Sequence, residues 1–245
     1  MIAQLRAELF KQLSVPTTAG LFTGLLGLVG LAAALHGLGL TSESLAARDN
    51  QLMVFGRGEF LGALFAALLG AMSITGEIRH GTIRPTFLVS PWRSRVVAAK
   101  VAVCAVIGAA FGLAASALAT GVGIGLLEAR GIDLQLDGGD YALLIAGGAA
   151  ASALWAAIGV GVAGLVRDQV PTLIGISAWL LFVEGLFGGN LADISKFAPG
   201  TLGMAISGQE PDTLLAPPLS LFLLAAYSIA AALAGSAATS RRDVA

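Results

Sequence analysis

The sequence predicts an all-α membrane protein. It expects six transmembrane helices, with an interfacial helix ahead of the first, a short surface helix between the second and third, and a re-entrant segment between the fifth and sixth. Three observations predict this. The 245 residues are 56% hydrophobic and 12% charged, whereas soluble domains carry about 25% charged residues. The mean hydropathy is +0.86, and it is concentrated in six apolar runs near the ~20 residues a bilayer requires. The basic residues gather in alternate connections between those runs.

Residues 1–15 form the first element. Ile2, Leu5, Leu9 and Leu13 recur at helical spacing with Arg6, Glu8 and Lys11 among them, a pattern too polar to span and suited to a membrane surface. A signal peptide is not expected, because Glu8 and Lys11 stand close to a long apolar run that no small-residue cleavage site ends cleanly. The first span is expected over Thr17 to Leu38, entered through Pro16. The second runs from Phe60 to Thr75, with an earlier start open because Leu52-Met53-Val54-Phe55 is also apolar. The third covers Val96 to Leu118 and runs on toward Leu127; the fourth covers Tyr141 to Val166. The fifth, opened by Pro171, covers Val170 to Phe187, and the sixth covers Pro218 to Ala238. All six belong to one transmembrane domain over residues 1–245.

Orientation follows from the connections. With the N-terminus inside, the inner pieces hold ten basic residues: Arg6, Lys11, Arg79, Arg84, Arg93, Arg95, Lys100, Arg167, Arg241 and Arg242. The outer pieces hold four, Arg48, Arg57, Arg130 and Lys196. The positive-inside rule then puts both termini in the cytoplasm. The acids of the outer pieces include Glu59, Asp133, Glu210 and Asp212, which leaves Glu184 as the only acid expected within a span. Membrane acids are expensive and default to a functional role, so Glu184 is a pathway candidate, although Gly188-Gly189-Asn190 nearby brings it close to the outer interface. Residues 188–217 are long for a turn and partly apolar, with Pro199-Gly200 in the middle; two short helices dipping into the outer leaflet are expected, against a plain outer loop.

The polar island from Gly76 to Lys100 stands apart. It sets Arg79, Arg84, Arg93, Arg95 and Lys100 against one acid, Glu77. Gly81-Thr82 reads as a helix start, with Thr82 able to cap and Pro85 in the first turn. Ile83, Phe87 and Leu88 are expected on one apolar face, and Ser90-Pro91 ends the helix. An apolar face on a short surface helix needs a protein groove or lipid to cover it. Glu77 and Arg79 read either as a contact for a docked protein or as a surface charge pair. Arg84, Arg93 and Arg95 suit a protein partner or anionic headgroups equally.

The remaining chemistry is sparse. His36 and His80 have no ligand-spaced companions, so no metal site is expected. Cys104 lies in an apolar run and reads as a packing residue, as do Trp155 and Trp179. Gly108/Gly112 and Gly121/Gly125 have the spacing of close helix contacts, more within one subunit than between two. A net charge of −1 offers no nucleic-acid partner. No G-x-x-x-x-G-K-[ST] occurs, so ATP hydrolysis in this chain is not expected.

Glu77-x-Arg79-x-Gly81-Thr82, the apolar residues up to Pro91, then Arg93 and Lys100, resemble the permease subunits of bacterial type-2 ATP-binding-cassette (ABC) exporters. Glu8-x-x-Lys11 followed by Ser14-x-Pro16-Thr17 is similar to the entry of those permeases, and Val183-Glu184 through Pro199-Gly200 to their re-entrant region. The resemblance covers nearly the whole chain in order; Trp92 departs from it, standing where a polar or basic residue is common. It implies a permease, not an enzyme, in the bacterial inner membrane, beside a second copy or a similar permease. Two separate ABC ATPase subunits would carry the ATP and magnesium, with no cofactor in this chain. It also implies that residues 77–95 hold a coupling helix for the ATPase, with Glu77, Arg79, Gly81, Thr82, Ile83, Arg84, Phe87, Leu88 and Arg93 as the coupling residues. The cargo fitting so apolar a bundle is a lipid, hydrophobic peptide or natural product. The alternative is a secondary carrier with proton coupling at Glu184; a scaffold or intramembrane enzyme ranks behind both.

Overall fold

The computed structural model describes residues 2–89, 92–186, 192–209 and 214–241. Among these residues the chain is helical, with no strand. After α1 (Ile2–Ser14), the first long helix is α2 (Pro16–Gly39). Two short helices, α3 (Ser42–Leu45) and α4 (Arg48–Phe55), lead into α5 (Arg57–Arg79). Then come α6 (Ile83–Val89), α7 (Arg93–Ala129) and α8 (Gly138–Val166). The helix α9 (Gln169–Ala178) runs through a wider π turn, Trp179–Val183, and on to Leu186. The short α10 (Ala192–Ser195) and α11 (Pro199–Ile206) precede the last helix, α12 (Pro217–Arg241).

Among the described residues, six stretches are long and apolar enough to cross a membrane: Pro16–Gly39, Arg48–Arg79, Arg93–Ala129, Gly138–Val166, Gln169–Leu186 and Pro217–Ser240. The protein is therefore a multi-pass membrane protein. The second stretch starts well before Phe60, because Gly56 keeps a right-handed helical backbone (φ −64°, ψ −14°) and joins α4 to α5 without a turn. As a result Glu59, expected in an outer connection, lies inside the helix and is 2% exposed. Glu184 is thus not the only acid within a span. The expected stop at Ser90-Pro91, the Gly188-Gly189-Asn190 stretch, and Glu210, Asp212 and Arg242 fall outside the described residues.

The middle of the bundle is α5, α7 and α8, with α12 on α8, α2 against α7 and α5, and α9 on α5. Buried residues make up 67% of the second span's most apolar window and 61% of the fourth's, against 17% in the fifth and sixth. Glycines set the closest of these contacts. A Cβ on Gly159 would strike the carbonyl of Ala67, one on Gly112 would strike Gly148, and one on Gly161 would strike Ala231. Small residues let the backbones approach, the way helices associate where lipid is as apolar as leucine. Gly108 and Gly112 serve such contacts within the chain, while Gly121 and Gly125 face open space.

Both ends of the bundle are tied by hydrogen bonds. At the end opposite α1, here the loop end, the buried amide of Gln51 donates to the carbonyls of Leu45 and Asp133 (both 2.9 Å) and accepts from the Gln135 N–H (2.9 Å). Arg130 donates to the carbonyls of Gly37 and Leu40 at the end of α2 and to Ser42 Oγ. These bonds answer the orphan carbonyls of a helix terminus. Among the described residues, three helices end with a left-handed glycine: Gly81 after α5, Gly131 after α7 and Gly208 after α11. In each, the residue past the glycine donates five residues back, as Thr82 does to Glu77 O (2.9 Å), closing the helix in a Schellman turn.

Candidate functional site

Four charged side chains meet at the α1 end. Lys100 of α7 is 2% exposed and Glu8 of α1 is 1% exposed. The Lys100 ammonium donates to Glu8 Oε2 (2.8 Å), to Glu77 Oε1 (2.7 Å) and to the carbonyl of Ser73 (3.0 Å). Lys11 donates to Glu8 Oε1 (3.1 Å) and Glu77 Oε1 (3.0 Å), and reaches Thr86 Oγ1 on α6 (3.4 Å). Two carboxylates and two ammoniums alternate, so the cluster is neutral and each buried charge has partners of opposite sign. That condition allows ions to sit away from water. Burial pulls the Lys11 pKa down, but hydrogen bonds and charge from Glu77 and Glu8 outweigh it and raise the ammonium above its ordinary value. The cluster joins α1, α5, α6 and α7 at one point.

This arrangement inverts α1. Its carboxylate at Glu8 points inward, while Ile2, Leu9, Phe10 and Leu13 are exposed. Such an exposed apolar side suits a helix lying on lipid. The sequence offered Glu8 as one polar residue among several. Its signal was the three-residue step to Lys11, but no spacing showed that Lys100, 92 residues away, would complete the group.

The island residues are distributed unevenly. Glu77 pairs with the two lysines rather than with Arg79, whose guanidinium donates to Gln169 (3.3 Å). Gly81 holds φ +71°. The Thr82 hydroxyl donates back to Glu77 O (3.4 Å), beside the Thr82 N–H that closes the Schellman turn on α5. Ile83 is 4% exposed and belongs to the core, whereas Leu88 is 85% exposed. Five residues on a helix advance about 140°, so these two cannot share a face. The side chains of Arg84 and Phe87 lie outside the described residues. Arg93 donates to the Thr239 carbonyl (3.3 Å), and Arg95 stacks on Trp92 at 4.8 Å.

The second constellation is a cavity of about 590 Å³ at the loop end, between α4, α5, the end of the fifth span and α11. Its wall mixes Leu52, Phe60, Leu180 and Met204 with Arg57, Glu184, Thr201 and Gln209. Glu184 is held by three donors: Trp179 Nε1 (2.6 Å), Gly200 N–H (2.9 Å) and Thr201 N–H (3.1 Å). Its carboxylate therefore answers the free amides at the start of α11. The π turn sets Trp179 and Glu184 five residues apart yet within bonding distance. Glu59 of α5 lies against Gly203, further along α11, which has no side chain to displace it. The amide of Gln209 rests on Gly56, donates to Ser207 Oγ (2.7 Å) and approaches Glu59 Oε2 (3.5 Å).

Sequence reasoning missed Glu59, Arg57 and Gln209 as members of one site. The readable signal was Gly200-x-x-Gly203 on a short helix, which leaves two gaps on one face. Among the described residues no group of His, Cys, Asp and Glu could hold a metal ion. No protein-family model matches the chain, and no curated protein is significantly similar to it.

Proposed function

We propose that this chain is the membrane-spanning permease subunit of an ATP-driven type-2 ABC exporter in a bacterial inner membrane. It works beside a second permease copy or a similar permease, with both termini in the cytoplasm. Two ATPase subunits, carrying ATP and magnesium, dock at the α1 end. Helix α6 is the coupling helix, and Gly81, Thr82, Ile83, Arg84, Phe87 and Leu88, with Glu77, Arg79 and Arg93 beside it, form the coupling region.

The buried charge cluster is the observation that carries this reading. A push on α6 passes through Thr86 to Lys11, and from there to Glu77 and Lys100 on the second and third spanning stretches. Packed interiors respond to small displacements as units rather than by local yielding. The exposed Leu88 and the Arg95–Trp92 stack supply an apolar and cationic surface next to that cluster. The loop-end cavity, of the size that small ligands occupy, is the place for a hydrophobic or amphipathic cargo, with Glu184 in its wall.

Co-purification tests the reading. A tagged chain drawn from the membranes of its own host is expected to bring down a P-loop ATPase, and export in inverted vesicles is expected to require ATP. A chain that arrives alone and transports without ATP ends the proposal.

A further inference from the structure

Hydrogen-bond capacity in the cavity wall is unequally used. Glu184 spends both oxygens on Trp179, Gly200 and Thr201. Asp49 is exposed and stands at the mouth. Arg57 is different: it is half-buried in the wall, its Nε is buried, and among the described residues that Nε has no hydrogen-bond partner. Arg48, on the same end of the bundle, is already paired with Asp140 at 2.8 Å. A guanidinium offers five donors in a fixed fork and no acceptor, and a buried donor left unmade is costly. The cavity that Arg57 lines continues along Leu52, Phe60, Leu180 and Met204, and its wall also carries the exposed apolar Met53 and Leu181.

We propose that the cavity binds an amphipath with an anionic oxygen headgroup, a phosphate or a carboxylate, whose oxygens take the Arg57 donors while its hydrocarbon chain lies along the leucine and methionine wall. The guanidinium fork matches such oxyanions two bonds at a time. The two acids do not select for a cation, since one is consumed by a helix terminus and the other is in solvent. This names the cargo class for the cavity assigned above and rests on that reading only for direction of transport. Binding itself needs no ATPase, so it stands or falls separately.

The chain is purified and placed in phosphatidylcholine nanodiscs without any ATPase. Binding of dodecyl phosphate, dodecyltrimethylammonium and inorganic phosphate is then measured. Dodecyl phosphate is expected to bind at least about ten-fold tighter than the cation, the worth of one hydrogen bond to a charged group. Inorganic phosphate alone is expected to bind far more weakly. Arg57→Gln is expected to erase the preference, Arg57→Lys to keep part of it, and Arg48→Gln to leave it intact. Met204→Trp fills the cavity without changing charge, and is expected to weaken both amphipaths. Doping the discs with phosphatidylglycerol separates the sources: competition identifies a membrane lipid as the ligand, and its absence a single-chain amphipath. A preference for the cation, equal losses from Arg57→Gln and Arg48→Gln, or an unchanged preference in Arg57→Gln overturns the proposal.

Discussion

The two ends of the bundle treat buried charge in opposite ways. At the α1 end, Glu8, Lys11, Glu77 and Lys100 cancel one another through contacts of 2.7–3.1 Å. At the loop end the charges around the cavity do not meet: Glu184 faces backbone amides, Glu59 faces a glycine and the Gln209 amide at 3.5 Å, and Arg57 lines the cavity. A closed neutral cluster transmits position, because moving one member exposes the others. An open and unbalanced wall has capacity left for a ligand. The comparison teaches that, in an apolar chain, the count of charges says less about function than the count of donors still unmade.

The sharpest way to break this contrast is at Lys100. Lys100→Met leaves Glu8 and Glu77 buried without their main partner, and breaking a buried pair from one side costs about 3–5 kcal/mol. The variant is expected to unfold at markedly lower temperature in detergent, and the double variant with Glu8→Gln to recover much of the loss. Arg48→Gln, which breaks the exposed pair with Asp140, is the reference, expected to lose about 0–1 kcal/mol. Equal losses for the two lysine and arginine variants would show that the α1-end cluster is no more than a surface pair.

At the loop end the effects are smaller and local. Glu184→Gln keeps one acceptor oxygen for the donors that now share two, so at least one loses its partner, worth about 1–3 kcal/mol. Hydrogen exchange at Gly200 and Thr201 is expected to quicken, while the α1 end is unchanged. If export is abolished with those amides still protected, Glu184 acts in the pathway itself rather than by holding α11. Gly203→Ala places a Cβ on the Glu59 carboxylate, and overpacking of this kind costs about 1–3 kcal/mol. Pairing it with Glu59→Ala is expected to restore stability, a coupling that a double-mutant cycle reads directly.

These sites mark where the sequence was legible. The six spanning stretches were, since length and apolarity decide them: the fourth, expected from Tyr141 to Val166, is Gly138–Val166. The start of the second was left open between Leu52 and Phe60, and the helical backbone of Gly56 decides for the earlier start. Glu59 and Lys100 were read as connection charges because each stands beside an apolar run, and a one-dimensional pattern cannot show that another helix brings Gln209 or Glu8 to meet them. The misplaced face on α6 has a simpler origin. Leu88 follows Phe87, and neighbours on a helix point about 100° apart.

Leu88 provides the smallest expected effect on the fold and the most direct reading of the proposed partner. Its side chain is 85% exposed, so Leu88→Ala removes almost no packing within the chain, and surface substitutions of this kind stay within about 0.5 kcal/mol. Thermal unfolding of the isolated subunit is therefore expected to match the parent. An exposed apolar anchor that fills a partner's pocket is a different matter, since truncating such a residue commonly weakens binding by more than about 1 kcal/mol. Recovery of the ATPase with the tagged chain is thus expected to fall while the subunit stays intact. Lys100→Met would lower both together, so the pair of variants separates the surface that receives the push from the cluster that passes it inward.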